Sequence, residues 1–116
     1  LRAAYCEADA FAFLSLEETE GIVVLEALAC GIPVLLRDIP VYREWIPEGD
    51  GVWKARDING FINALSNMLS TPVSAFKGTG RSIALSRRLE SVGKCLASIY
   101  EKEGFLSRSK KEETVL

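Results

Sequence analysis

The chain contains no histidine in its 116 residues. That absence removes the usual general base, the Ser/His/Asp and Cys/His arrangements of nucleophilic catalysis, and most transition-metal sites. Any chemistry must rest on carboxylates, backbone amides or the substrate itself. Cysteine is scarce as well. Cys6, Cys30 and Cys95 are odd in number, widely separated and without a CxxC pair, so they suggest neither a disulfide scaffold nor a zinc site, and no metal is expected. They read as small buried residues in a reducing compartment. A clustered basic face is also missing: 14 Lys and Arg stand against 16 Asp and Glu, for a net charge of -2, which excludes nucleic acid as the expected partner. No apolar run reaches the roughly 18 residues of a membrane span, and no charged-then-apolar leader opens the chain, so the expected location is the cytoplasm.

What is present is enough apolar content, 48%, for a real core in one domain of this length. The most informative feature is a lone carboxylate, Glu26, inside the apolar run Ile22 to Cys30 that Gly31 closes. A helix apolar on every side should be buried, and an unpaired buried carboxylate costs several kcal/mol, so something polar must meet Glu26.

Short strands and helices alternate along the chain. Ala10 to Leu14 reads as a buried strand, Ser15 to Gly21 as a loop and Ile22 to Cys30 as a helix with Gly31 as its terminating glycine. Val34 to Leu36 is a second strand, Val41 to Ile46 a short helix and Val52 to Lys54 a third strand. Asp57 is placed to cap a helix running to about Leu69, with Ile58, Phe61, Ile62, Leu65, Met68 and Leu69 at helical spacing. Ser70 to Gly80 is a linker. One long helix from about Arg81 to Glu103 then carries the stripe Leu85, Leu89, Val92, Leu96 and Ile99. The expected fold class is α/β, a Rossmann-like partial parallel sheet flanked by helices and ending in a long C-terminal helix. Ligands of such sheets bind beyond the carboxyl ends of the strands, where the Ser15 to Gly21 loop and the Arg37-Asp38 pair emerge.

A helix N-terminus binds phosphate through free amides without a basic side chain, and Gly21 lets backbone approach closely there. Glu26 lies roughly 7 Å along the axis from Gly21 at 1.5 Å per residue, and Glu18 lies in the loop before it. A diphosphate at the terminus would leave a sugar or ribose within reach of each carboxylate, a group suited to gripping vicinal hydroxyls. Plainer readings stand beside this one. Glu26 could be satisfied by buried amides or an arginine, and Glu18 could be solvated charge favoured by the helix dipole.

The stretch Ser15-Leu16-Glu17-Glu18-Thr19-Glu20-Gly21-Ile22-Val23-Val24-Leu25-Glu26-Ala27-Leu28-Ala29-Cys30-Gly31-Ile32-Pro33-Val34 closely resembles the signature of retaining, metal-independent glycosyltransferases of the GT-B fold, often called family four. Its hallmark is two glutamates separated by seven residues, then Ala, a small residue, Gly and Pro-Val. The segment Leu36 to Tyr42 is similar to bacterial diacylglycerol glucosyltransferases, which build membrane glycolipids from UDP-glucose; Glu20 departs from the aromatic residue that often precedes the glycine.

The resemblance implies roles at the matching positions. Glu18 would bind hydroxyls of the donor sugar and hold the catalytic position by orienting the donor. The backbone at Gly21, Ile22 and Val23 would face the sugar and diphosphate, Glu26 would bind the ribose hydroxyls, and Leu25 would pack beside the nucleoside. The co-substrate would be a nucleotide sugar, UDP-glucose by the narrower likeness, with no separate cofactor. Residues 1–106 would form the C-terminal part of a donor-binding domain, truncated at its N-terminus, followed by a polar tail, 107–116, expected to be disordered. The acceptor, a diacylglycerol-type lipid or a saccharide, would be held by a domain upstream, so the fragment alone is expected to be inactive. A transferase of capsular or other surface polysaccharide synthesis is the alternative enzyme. A non-catalytic binding domain that keeps the fold is the alternative of another class.

Other polar and aromatic residues have more ordinary expectations. Arg37 and Asp38 read as a local ion pair, and Trp45 and Trp53 as packing residues. Arg81, Arg87, Arg88 and Lys94 could meet anionic lipid in a peripheral membrane contact, but Glu90, Glu101 and Glu103 dilute their charge and favour a solvated face.

Overall fold

The computed structural model describes residues 1–104. The polar tail expected over 107–116 lies outside the described residues. The chain divides into two compact units, Leu1–Leu85 and the segment from Ser86 on.

The first unit opens with helix α1 (Arg2–Glu7), then strand β1 (Phe11–Phe13), helix α2 (Ile22–Ala29), strand β2 (Val34–Arg37), helix α3 (Pro40–Trp45), strand β3 (Val52–Ala55) and helix α4 (Ile58–Ser70). A short 3-10 turn, Val73–Ala75, precedes α5 (Thr79–Ser86). The three strands form a parallel sheet in the order β1-β2-β3, with Phe11 opposite Val34 and Val34 opposite Val52. The α/β reading with a partial parallel sheet therefore holds.

Period-two alternation along β2 sends its side chains to both faces. Val34 and Leu36 pack with Val24, Ala27 and Leu28 of α2 and with Tyr42, Ile46 and Val52. Leu35 faces the other way, onto Ala64 and Met68 of α4. β2 is the central strand and its first three residues are buried, whereas Ala12 in the edge strand β1 is exposed.

Local chemistry sets the element ends. Pro40 occupies the first turn of α3, where its missing N–H costs nothing. Asp57 caps α4 as expected, its Oδ1 accepting from the Gly60 amide at 2.7 Å. Gly31 takes the left-handed conformation, φ +76°, just after α2. Asp50 accepts from the amides of Lys77 and Thr79 and so ties the β2–β3 turn region to the start of α5.

Several expectations need correction. α2 is not buried all round: Val24, Ala27 and Leu28 form its inner face, while Ile22 is 64% exposed. The buried face of α4 is Ala64 and Met68 with half-buried Phe61, leaving Ile58, Ile62, Leu65 and Leu69 exposed. Cys6 and Cys95 are exposed, and Cys30 is half-buried against the core, so none of the three is fully buried.

The single long helix expected from Arg81 is two helices. α5 ends at Ser86, Arg88 adopts an extended backbone, and α6 (Leu89–Lys102) begins in the second unit. Glu90 explains the new start: it sits in the first turn, where the helix dipole favours an acid, and pairs with Arg88 at 3.2 Å and Lys94 at 2.9 Å. The stripe Val92, Leu96 and Ile99 does follow helical spacing on α6, yet each of these residues is 45 to 52% exposed.

Candidate functional site

The site grows from the turn between β1 and α2. Gly21 is the N-cap of α2 in a left-handed conformation, φ +77° and ψ +56°, with no side chain capping the helix. Its carbonyl accepts from the amides of Val24 at 2.9 Å and Leu25 at 3.4 Å. The amides of Ile22 and Val23 precede the first helical donors and point out of the helix end. They carry the positive end of its dipole.

Around this end lies a cavity of about 330 Å³ lined by Phe13, Glu18, Thr19, Glu20, Gly21, Ile22 and Val23. Four of the six residues expected to bind the donor, Glu18, Gly21, Ile22 and Val23, therefore meet in one groove. Glu18 also lines a second cavity of about 420 Å³, with Leu16, Glu17, Ile39, Pro40 and Val41. Glu26 opens elsewhere, onto a cavity of about 330 Å³ with Leu1, Arg2, Tyr5, Ala29 and Cys30. Leu25 is half-buried on α2 and lines none of these three.

Glu26 is half-buried rather than buried, and its polar partner is Tyr5. The Tyr5 hydroxyl donates to Glu26 Oε2 at 2.9 Å. Burial, and then this bond to a carboxylate, push the Tyr5 hydroxyl pKa up, so it stays a donor at neutral pH. Tyr5 is held by an aromatic contact with Phe11, ring centroids 5.6 Å apart. Sequence reasoning required a partner for Glu26 but did not find Tyr5, which lies 21 positions away on another helix.

The carboxyl edge of the sheet is stitched by Arg37, whose Nε donates to the Leu14 carbonyl at 3.0 Å and Nη1 to the Arg56 carbonyl at 3.2 Å. Its guanidinium lies 4.9 Å from the centre of the Phe61 ring. One side chain thus joins the ends of all three strands behind the site. The expected Arg37–Asp38 pair does not form. Asp38 instead receives Arg43 at 2.8 Å and Arg56 at 2.7 Å, which together hold its carboxyl at about 2. Trp45 and Trp53 are packing residues, edge-on to Tyr42 and Phe76 respectively.

A second tyrosine, Tyr42, has no role of its own in the sequence reading, where it only closes the Leu36 to Tyr42 segment. Tyr42 is fully buried beneath Gly21, and its hydroxyl has no hydrogen-bond partner among the described residues. Burial, with the charge of Glu18 added, pushes its pKa up to about 12.

The model of the group 1 glycosyl transferases matches residues 1–77, which span every element of the groove. The chain belongs to the group 1 glycosyltransferases. Among its curated relatives is a processive diacylglycerol alpha-glucosyltransferase of Acholeplasma laidlawii, 38% identical over 101 residues, 87% of this chain and 30% of that protein. The O-antigen chain mannosyltransferase RfbU of Salmonella typhimurium is 29% identical over 99 residues, 84% of this chain and 28% of that protein. This glycosyltransferase chain thus spans under a third of the length of either relative. Among its described residues no helix is long and apolar enough to cross a membrane, and no group of acidic, cysteine or histidine side chains is placed to hold a metal ion.

Proposed function

We propose that this chain is the nucleotide-sugar-binding part of a retaining hexosyltransferase, with UDP-glucose as donor and a diacylglycerol-type lipid as acceptor. The observation that carries the reading is the uncapped, left-handed Gly21 end of α2, set in one groove with Glu18 and followed by Glu26. Its free amides suit a diphosphate, and the Glu18 carboxylate suits the hydroxyls of the attached sugar. Tyr5 fixes one oxygen of Glu26 and leaves the other for ribose hydroxyls. Leu25 packs beside the nucleoside.

In this reading the protein positions the donor and stabilises the departing diphosphate, while the sugar moves with retention at its anomeric carbon. No step calls for a histidine or a metal from these residues. The acceptor is held by protein beyond this chain, so these residues alone bind donor weakly and transfer nothing. The reaction takes place in the cytoplasm, with peripheral contact at the inner face of the membrane that holds the lipid. The likeness to the diacylglycerol glucosyltransferase supports the lipid acceptor. The likeness to RfbU supports a second reading, a transferase of surface polysaccharide synthesis.

The test is calorimetric titration of the full-length protein with UDP, UDP-glucose and UDP-galactose, beside the Glu26→Ala variant. UDP-glucose should bind, and the variant should bind it at least about tenfold more weakly, ~1.4 kcal/mol. Unchanged affinity in the variant would remove Glu26 from the donor site. Binding of none of the three would point to another nucleotide or to a fold kept without its donor. Offering both acceptors to the active protein separates lipid from saccharide transfer.

A further inference from the structure

A phenol hydroxyl buried without a partner is a desolvation cost that phenylalanine would avoid. Tyr42 carries that cost at 0% exposure, and its place makes the cost informative. A Cβ on Gly21 would stand 2.6 Å from the Tyr42 hydroxyl and 2.9 Å from its Cε1, so the hydroxyl is aimed at the turn that caps α2. The backbone there is anchored, since Lys54 Nζ donates to the Tyr42 carbonyl at 3.0 Å. Above it runs the 14–21 loop, which has no helix or strand and ends on Gly21. Glu18 in that loop lines the groove at the α2 end and also the cavity formed with Ile39, Pro40 and Val41 at the start of α3.

We infer that Tyr42 is a positioning residue of the donor site: its hydroxyl donates to the Glu18 carboxylate when a nucleotide sugar occupies the groove. This role rests on the donor-binding reading above. The charge that reaches the hydroxyl is that of Glu18, and burial keeps the hydroxyl protonated. The bond requires Glu18 to turn inward on a loop without regular structure. It orients one carboxylate oxygen downward and leaves the other for the sugar hydroxyls.

A stability gain with a functional loss is the signature that a structural role would not produce. In the full-length protein, Tyr42→Phe should leave the melting temperature unchanged or raise it, because the hydroxyl it removes has no partner among the described residues. UDP-glucose affinity should fall about tenfold. In the Glu18→Ala background the same Tyr42→Phe change should cost no further affinity, since the two residues act as one unit. An affinity equal to wild type would overturn the inference, as would a fall in melting temperature alongside the affinity loss, or full additivity with Glu18→Ala. If the wild-type protein binds none of UDP, UDP-glucose and UDP-galactose, the donor-binding reading fails first and takes this inference with it. Wild-type binding with an inert Tyr42→Phe sinks the inference alone.

Discussion

Asp38 takes both guanidinium groups that lie nearest to it at the carboxyl edge of the sheet. Arg43 and Arg56 bond to its two oxygens, and Arg37 is turned onto backbone carbonyls and the Phe61 ring. These contacts tie the arginines to the loops that leave the strands. The sequence places Arg37 beside Asp38 and so suggests a pair between them. Adjacent residues leaving a strand project to opposite faces, however, and the true partners come from α3 and from beyond β3. The carboxyl is held at about 2, below its ordinary 3.8. Its contribution to stability is thus present above pH 3.8 and is lost as pH falls toward 2. Both arginines are at least half exposed, so solvent screening limits the worth of the pairs to about 1 kcal/mol. Asp38→Asn should therefore lower stability by about that amount at neutral pH. Below pH 2 the difference should vanish, as denaturant titrations at a series of pH values would reveal. A gap that persists in acid would mean that the carboxyl acts through something other than its charge.

α2 is bounded by two glycines in the left-handed conformation, and they are there for different reasons. Gly31, φ +76°, ends the helix in open space, where an added Cβ meets nothing within 4 Å. Gly21, φ +77°, begins it against Tyr42. Gly31→Ala should cost only the left-handed backbone penalty, about 1 kcal/mol. Gly21→Ala adds overpacking against a fully buried ring and should cost about 2–4 kcal/mol. Equal losses by chemical denaturation would show that Tyr42 yields freely and that the close approach is incidental. Both glycines are legible as punctuation, as are the Asp57 cap and the proline that opens α3, because each depends on its immediate neighbours alone. The break between α5 and α6 is not legible in that way. No glycine or proline marks it, and the apolar stripe runs on in phase from Leu85 to Leu89. Arg88 and Glu90 pair across the new start, and the acid lies in the first turn of α6, where the helix dipole favours it.

At the scale of the molecule, the groove was readable because Glu18, Gly21, Ile22 and Val23 lie within six consecutive positions that fold into one loop and one helix end. Tyr5 and Tyr42 complete the surroundings from α1 and α3. Such contacts leave no trace in spacing, and only the need to satisfy Glu26 hinted that one existed. The same distinction runs through stability. β2 is central, with Val34, Leu35 and Leu36 at most 1% exposed, whereas α6 has no buried residue among those described. A 14-residue helix without a buried face is marginal in water. In hydrogen exchange on the 116-residue chain, the amides of β2 should therefore open only with global unfolding. Those of α6 should exchange within about tenfold of unfolded-chain rates. α6 amides as slow as those of β2 would show that the apolar stripe Val92, Leu96 and Ile99 is covered in solution, and that the two units unfold together.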